Sequence, residues 1–332
     1  MTVPYTPTPF AVPIVNPSIG ATGVPYPYIS NSEYLYAPTA MDTSNLVQNG
    51  SVQDQSQSLA DTIRRASRWA DRYVMGADPA SKGASLCATI NTENTYTNMV
   101  NGWLRLVCAY KPIVQVNGID VGPTPGNTSS IGQGTANLTR IGARTIFVPI
   151  NYGQIANPPN GDISPLLPSS APYGSMYCVW SYVNGYPHTF LMDGITSGTN
   201  TCTVATTDGV GGLLGFVPNT TVISVVDGAK TESLVVKSVS GTTITTVTNF
   251  QFSHTVPTGP DFIPVTSLPD DISLATIFLT TSLIKTRGDN SLILDEMQEP
   301  DRFRAAAGDI MEDVAYALSL LDAYRVRTKV KG

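Results

Sequence analysis

Hydrophobic positions along the chain change period twice, and the changes divide it. From Leu59 the apolar residues Leu59, Ile63, Ala66, Ala70 and Tyr73 recur at spacings of three and four, the period of one helix face. Asp54 with Gln57 three residues on gives a capping-box pattern at its start, and Gly76 with Pro79 beyond predicts its end. A second stripe, Ile272, Ala275, Leu279 and Leu283, follows Leu268-Pro269-Asp270 and runs to Gly288. A third opens at Pro300 with Ala306, Ile310, Val314, Ala317, Leu321 and Tyr324. Between about Leu86 and Ile263 the period falls to two. Trp103–Val107, Ile113–Val116, Thr145–Ile150 and Tyr177–Val183 predict a first set of strands. Thr220–Val226, Lys230–Val239 and Thr242–Val247 predict a second set, punctuated by Asp227-Gly228 and Ser240-Gly241 turns. Pro187-His188-Thr189 reads as a short connection between the two.

The first 28 residues fit neither period. Prolines at 4, 7, 9, 13, 17, 25 and 27 alternate with aromatic and β-branched residues. Proline fixes φ and biases its predecessor toward extended backbone, so helix is excluded and a polyproline-like arm is expected. At about 3.1 Å per residue it reaches roughly 80 Å. Disordered tails lack aromatics. Tyr5, Phe10, Tyr26 and Tyr28 are therefore the candidate contacts of an arm lying on a neighbouring subunit. After Ile29, Ser30 or Ser32 can cap a short turn that Ala37-Pro38 ends.

The expected fold class is α+β. A small helical bundle, residues 29–85 and 266–332, carries a large antiparallel β insertion at 86–265, divisible at about 186/187, and the extended arm of residues 1–28 precedes it. Insertion is the topology that results if the three helices pack together, because the chain leaves the helical unit near 76 and returns near 269.

Composition narrows the function. The 332 residues include only 13% charged side chains, against about 25% in a typical soluble domain. The net charge of −6 gives no basic excess for general nucleic-acid binding. Cys87, Cys108, Cys178 and Cys202 are far apart, which suits small core residues and neither a zinc ribbon nor a disulfide framework. With no charge before Glu33 there is no basic secretory n-region, and Ile272–Ile284 is too short to cross a bilayer, so no export by that route and no membrane partner are expected.

Candidate chemistry is sparse. His188 and His254 stand in Thr/Pro/Ser contexts without a ligand at metal spacing and read as loop residues that bond locally. No phosphate loop or nucleophile elbow occurs, and Gly209-Val210-Gly211-Gly212 lacks the lysine and helix a phosphate loop needs. Asp270 with Asp271, and Glu312 with Asp313, are adjacent on helices and point to different sides. No catalytic residue, cofactor or metal is expected, and the chain reads as a structural or binding protein rather than an enzyme. Two basic groups remain. Arg64, Arg65, Arg68 and Arg72 lie off the apolar stripe of their helix, with Asp61 and Asp71 spaced as surface partners, and form a candidate intersubunit face. Arg325, Arg327, Lys329 and Lys331 form a basic tip suited to the negative end of a helix dipole or to an acidic partner.

The order of these features is similar to a known family. The runs YISNSEYLYAPTAMDTSNLV, LADTIRRASRWADRYV, DGAKTESLVVKSVSGTTIT and LPDDISLATIFLTTSLIKTRGDNSLIL resemble the head-to-tail connector (adaptor) proteins of tailed double-stranded DNA bacteriophages over residues 28–325. The resemblance implies a homo-oligomeric ring, commonly twelvefold, in the virion neck, assembled in the host cytoplasm. The ring binds the portal protein and a tail or stopper/terminator protein, and DNA passes its channel without sequence-specific contact. Carried onto this chain, Tyr324, Arg325, Arg327, Lys329 and Lys331 become the portal-facing element. The β region faces the major capsid protein, the tail side or the next subunit, and the sequence does not choose among them. The alternative is another tail or baseplate protein whose β region binds host glycan, with Trp180, Tyr182 and Tyr186 as groove aromatics.

Overall fold

The computed structural model describes residues 27–39, 41–44, 46–75, 85–100, 103–131, 139–149, 175–207, 212–286 and 308–325. The described residues divide into two compact units, one within residues 89–185 and one that joins those of 27–88 with those of 186–325. The arm positions Tyr5, Phe10 and Tyr26, the tip positions Arg327, Lys329 and Lys331, and the predicted helix start at Pro300 lie outside the described residues.

The first unit is a seven-stranded antiparallel sheet. In chain order its strands are β1 (Thr89–Val100), β2 (Trp103–Val107), β3 (Ile113–Thr124), β4 (Asn127–Ser130), β5 (Arg140–Ile141), β6 (Thr145–Pro149) and β7 (Ser175–Asn184). They pair in the order β4-β3-β7-β1-β2-β6-β5. Alternation decides which face is inside: on β7, Met176, Cys178, Trp180 and Tyr182 are buried while the residues between them are half-exposed. These four pack with Leu104, Leu106, Ile146 and Val148 of β2 and β6 in one cluster, so the sheet curls over its own inner face. Register shifts in β3 at Ile113/Gln115 and Val116/Gly118 supply the bend.

The second unit combines a sheet with helices. Strands β8 (His188–Phe190), β9 (Thr201–Thr203), β10 (Val222–Val225), β11 (Glu232–Ser240), β12 (Thr243–Thr246) and β13 (Pro264–Thr266) pair in the order β8-β13-β10-β11-β12-β9. Beyond the two outer strands, Met192 N–H donates to Thr203 O at 2.9 Å and Ala205 N–H to Phe190 O at 3.0 Å. These bonds join the sheet's outer strands at one end and give a small barrel filled by Leu191, Val204, Ile223, Val236, Ile244 and Val265. A sheet closed in this way leaves fewer open backbone edges.

The helices of this unit are α1 (Asn31–Tyr36), α2 (Val52–Met75), α3 (Asp270–Lys285) and α4 (Gly308–Leu321). α3 packs on both α2 and α4. The predicted stripes are the buried ones: Leu59, Ile63, Ala66 and Ala70 on α2, Ile272, Ala275, Leu279 and Leu283 on α3, and Val314, Ala317 and Leu321 on α4. On α2, Val74 takes the place expected for Tyr73 in the interior. The N-terminal box of α2 is shifted too. Ser51 and Asp54 make it: Asp54 N–H donates to Ser51 Oγ at 3.2 Å and Ser51 N–H to Asp54 Oδ2 at 2.8 Å.

The expected fold class is overturned. Strand outweighs helix, and the body is not a small helical bundle carrying the whole β region. Residues 187–266 form the barrel that shares a unit with the helices, and residues 89–185 alone form a unit of their own. The reason is long-range pairing: Thr189 of β8 faces Val265 of β13, a register with no local sequence signal. The junctions lie side by side in the second unit, where Ala88 N–H donates to Tyr186 O at 2.8 Å and Tyr186 N–H to Leu86 O at 2.7 Å.

Candidate functional site: a groove beside the first helix

A groove of about 540 Å³ lies in the second unit, within the usual range for small-ligand sites. Three elements build it. The C-terminal end of α1 contributes Glu33, Tyr36, Ala37 and Pro38. α3 contributes Leu274, Ile277, Phe278 and Lys285 from the side of the helix away from its predicted stripe. Val226 and the 3₁₀ turn Gly228–Lys230 close the third side.

Local chemistry fixes each wall. Ser30 caps α1, its Oγ accepting from Glu33 N–H at 3.0 Å, and the helix ends at Ala37-Pro38. Gly228 has φ +52, and a Cβ there would lie 3.4 Å from the Tyr36 ring. Tyr36 thus lies against a residue chosen for its missing side chain, with 78% of its surface open. Phe278 meets Tyr316 of α4 edge to face at 4.9 Å, and Lys285 Nζ pairs with Asp313 Oδ2 at 2.6 Å.

The groove is therefore apolar with few charges, and most of those are compensated. Burial, with a smaller push from Asp270, drives the Glu33 carboxyl up to about 7 despite a backbone hydrogen bond to Ser30. The Lys285–Asp313 pair neutralises itself.

Two buried polar clusters lie elsewhere in this unit. In the first, the Tyr28 hydroxyl donates to Asp71 Oδ1 and lies 3.2 Å from Ser85 Oγ, and Leu86 N–H also donates to Asp71 Oδ1 at 2.8 Å. His188 Nε2 lies 2.9 Å from Pro27 O, while its Nδ1 has no hydrogen-bond partner among the described residues. Burial pushes Asp71 up to about 7 against the hydrogen bonds it accepts, and burial pulls His188 down to about 4. In the second, His254 is held between Asp227 (Nδ1 to Oδ2, 2.9 Å) and Glu232 (Nε2 to Oε1, 3.0 Å). Each ring nitrogen of His254 thus faces one carboxylate.

The first cluster and Glu33 of the groove make stability depend on pH. Asp71 and Glu33 each hold a proton in the fold between about 4 and 7 that the unfolded chain releases, so the stability they contribute is lost as pH rises through that window. His188 has the opposite sign: the unfolded ring protonates below its ordinary 6.5, and stability is lost as pH falls toward 4. Two carboxyls oppose one imidazole, so the net effect of these three groups is a loss of stability as pH rises between about 5 and 6. Asp71→Asn is expected to flatten that slope in urea titrations, and an unchanged slope rejects the assignment.

The sequence-derived residues are dispersed. Tyr28 is buried inside its own unit. Arg65, Arg68 and Arg72 are exposed on one side of α2 at i, i+3 and i+7, while Arg64 pairs with Asp61 at 2.9 Å. Asp71, expected as a surface partner of these arginines, is instead bound to Tyr28. Tyr324 is half-buried, its hydroxyl 3.3 Å from Asp271 and its ring edge-on to Tyr186, and Arg325 lies over Tyr73 at 5.1 Å. Trp180 and Tyr182 are buried and line no open surface, and Tyr186 is half-buried. The histidines expected in loops are buried, His188 in β8 and His254 in a bridge with Ile195. All four cysteines are free and buried. No cluster suited to a metal occurs among the described residues, and no helix there is long and apolar enough to cross a membrane.

The groove residues escaped sequence reading because Leu274, Ile277 and Phe278 lie between the positions of the α3 stripe. Their signal was a helix with apolar residues on two sides. The chain matches no protein-family profile, no curated protein and no solved structure.

Proposed function

We propose that this chain is a structural subunit of a tailed-phage virion, the head-to-tail connector ring that binds the portal and leaves a channel for DNA. The observation that carries the reading is the packing of α3 on both α2 and α4, which brings helices from opposite ends of the chain together while residues 89–185 form a unit apart. The packed helices are the assembly surface of this reading. The buried histidines and carboxylates support it further, since they are engaged in bonds that hold the body together.

The experiment is imaging and mass measurement of the chain alone and mixed with the portal protein of the same phage, together with detection of the chain in purified virions. The expected result is a ring, of about twelve copies by the resemblance, seated on the portal. A monomer in both preparations that is absent from virions overturns the reading.

The exposed arginine row supplies a second test. Arg65→Glu, Arg68→Glu and Arg72→Glu together are expected to shift the unfolding free energy by less than about 1 kcal/mol, because surface charges contribute little to folding. The same triple variant is expected to lose the ring, since like charges brought together at an interface cost several kcal/mol. Rings of normal mass from the triple variant show that α2 faces solvent.

A further inference from the structure

We propose that the groove beside α1 receives the proline-rich segment, residues 1–26, of a neighbouring copy. The inference rests on the ring reading above and adds the element that ties one copy to the next.

The match is chemical first. An extended proline-rich chain makes no internal hydrogen bonds and is recognised by aromatic-lined grooves that accept its rings between flat side chains. Tyr36 and Phe278 are the aromatics here, with Pro38 and Leu274 beside them. Leu274 is 37% exposed and Tyr36 more so, although both stand at a concave apolar surface.

Charge selects the same occupant. Residues 1–26 contain no Asp, Glu, Lys or Arg. Among the described residues lining the groove, Lys285 and Asp313 pair at 2.6 Å, and burial raises the Glu33 carboxyl to about 7, which lowers its charge near neutral pH. An uncharged segment can enter without desolvating an unmatched charge, whereas a charged peptide cannot. A neutral carboxyl also has an O–H to donate to a carbonyl of the incoming chain.

Chain geometry favours the neighbour's segment over the copy's own. Pro27, Tyr28, Ile29 and Ser30 are buried, Ser30 is extended, and Pro27 O is held by His188. The segment therefore starts from a fixed point, and Pro25 and Pro27 restrict φ beside it. Twenty-six extended residues reach roughly 80 Å, against about 45 Å across a compact unit of roughly 200 residues.

The test places a photo-crosslinking phenylalanine analogue at position 10 of the full chain and mixes it with heavy-isotope copies that lack the analogue. After assembly and irradiation, the expected product is a light–heavy crosslink whose peptide contains Tyr36 or Phe278. Tyr36→Ala in the heavy copy, a change at an exposed residue that leaves folding intact, is expected to cut the yield about tenfold, the effect of removing one aromatic anchor. Links confined to a copy's own groove, or a ring whose links fall elsewhere, overturn this inference and leave the connector reading standing. A chain that stays monomeric and gives no light–heavy link overturns both.

Discussion

Leu321→Asp is expected to destabilise the second unit by several kcal/mol and to remove the chain from assembled particles. Leu321 is fully buried at the end of the α4 stripe, in line with Val314 and Ala317. The substitution removes about 2 kcal/mol of apolar burial. It also places a carboxylate where solvation is lost, a cost of several kcal/mol more unless the group stays protonated. Leu321→Met keeps volume and apolarity and is expected to cost less than about 1.5 kcal/mol. Denaturant unfolding of the two variants checks the contrast. A Leu321→Asp midpoint equal to that of Leu321→Met shows that the end of α4 is not packed as described.

The second large effect centres on His254. Its side chain is fully buried, and that of Glu232 is only 8% exposed, whereas Asp227 retains 30%. Removing the ring by His254→Ala takes one hydrogen-bond partner from the Glu232 carboxylate and leaves a cavity in the barrel wall, a cost of about 2–4 kcal/mol. Asp227 reaches water and contributes less to that loss. Burial raises the Glu232 carboxyl, but the Gln251 and Phe252 N–H groups and His254 outweigh it, and the net position is below the usual carboxylate range. Stability from Glu232 is thus present above its ordinary 4.5 and lost as pH falls below it. If the pair is the cause, Glu232→Gln in the His254→Ala background recovers part of the loss, with a coupling of about 1–3 kcal/mol in a double-mutant cycle. Strict additivity of the two changes rejects the pairing as the source.

Both residues show what a sequence displays and what it hides. Leu321 was legible because helical stripes are local: a run such as Val314, Ala317, Leu321 needs only its own spacing to declare a buried face. The hairpin β11–β12 was legible for the same reason, with Ser240-Gly241 at its turn and Gly241 at φ +57. His254 was not, since Asp227 and Glu232 stand 27 and 22 residues away and meet it only through the barrel. Strand β1 was missed because Thr-Ile-Asn-Thr-Glu-Asn-Thr carries Asn, Thr and Glu where apolar residues are the usual strand signal. Its pairing along β7 supplies the order that its composition does not. The class of the body was misjudged on the same ground. Closure of a barrel by Phe190 and Met192 against Thr203 and Ala205 is a property of the folded sheet, invisible to any window along the chain.

Cys87 and Tyr186, the last ties before and after the inserted unit, bridge in parallel. Antiparallel neighbours can be joined by a two-residue hairpin, but parallel ones need a crossover of a dozen or more residues. The inserted module therefore has a floor on its length. Descendants of this gene could trade it for another module of any architecture, yet none could trim it down to a bare bend without losing the seam on which the body closes.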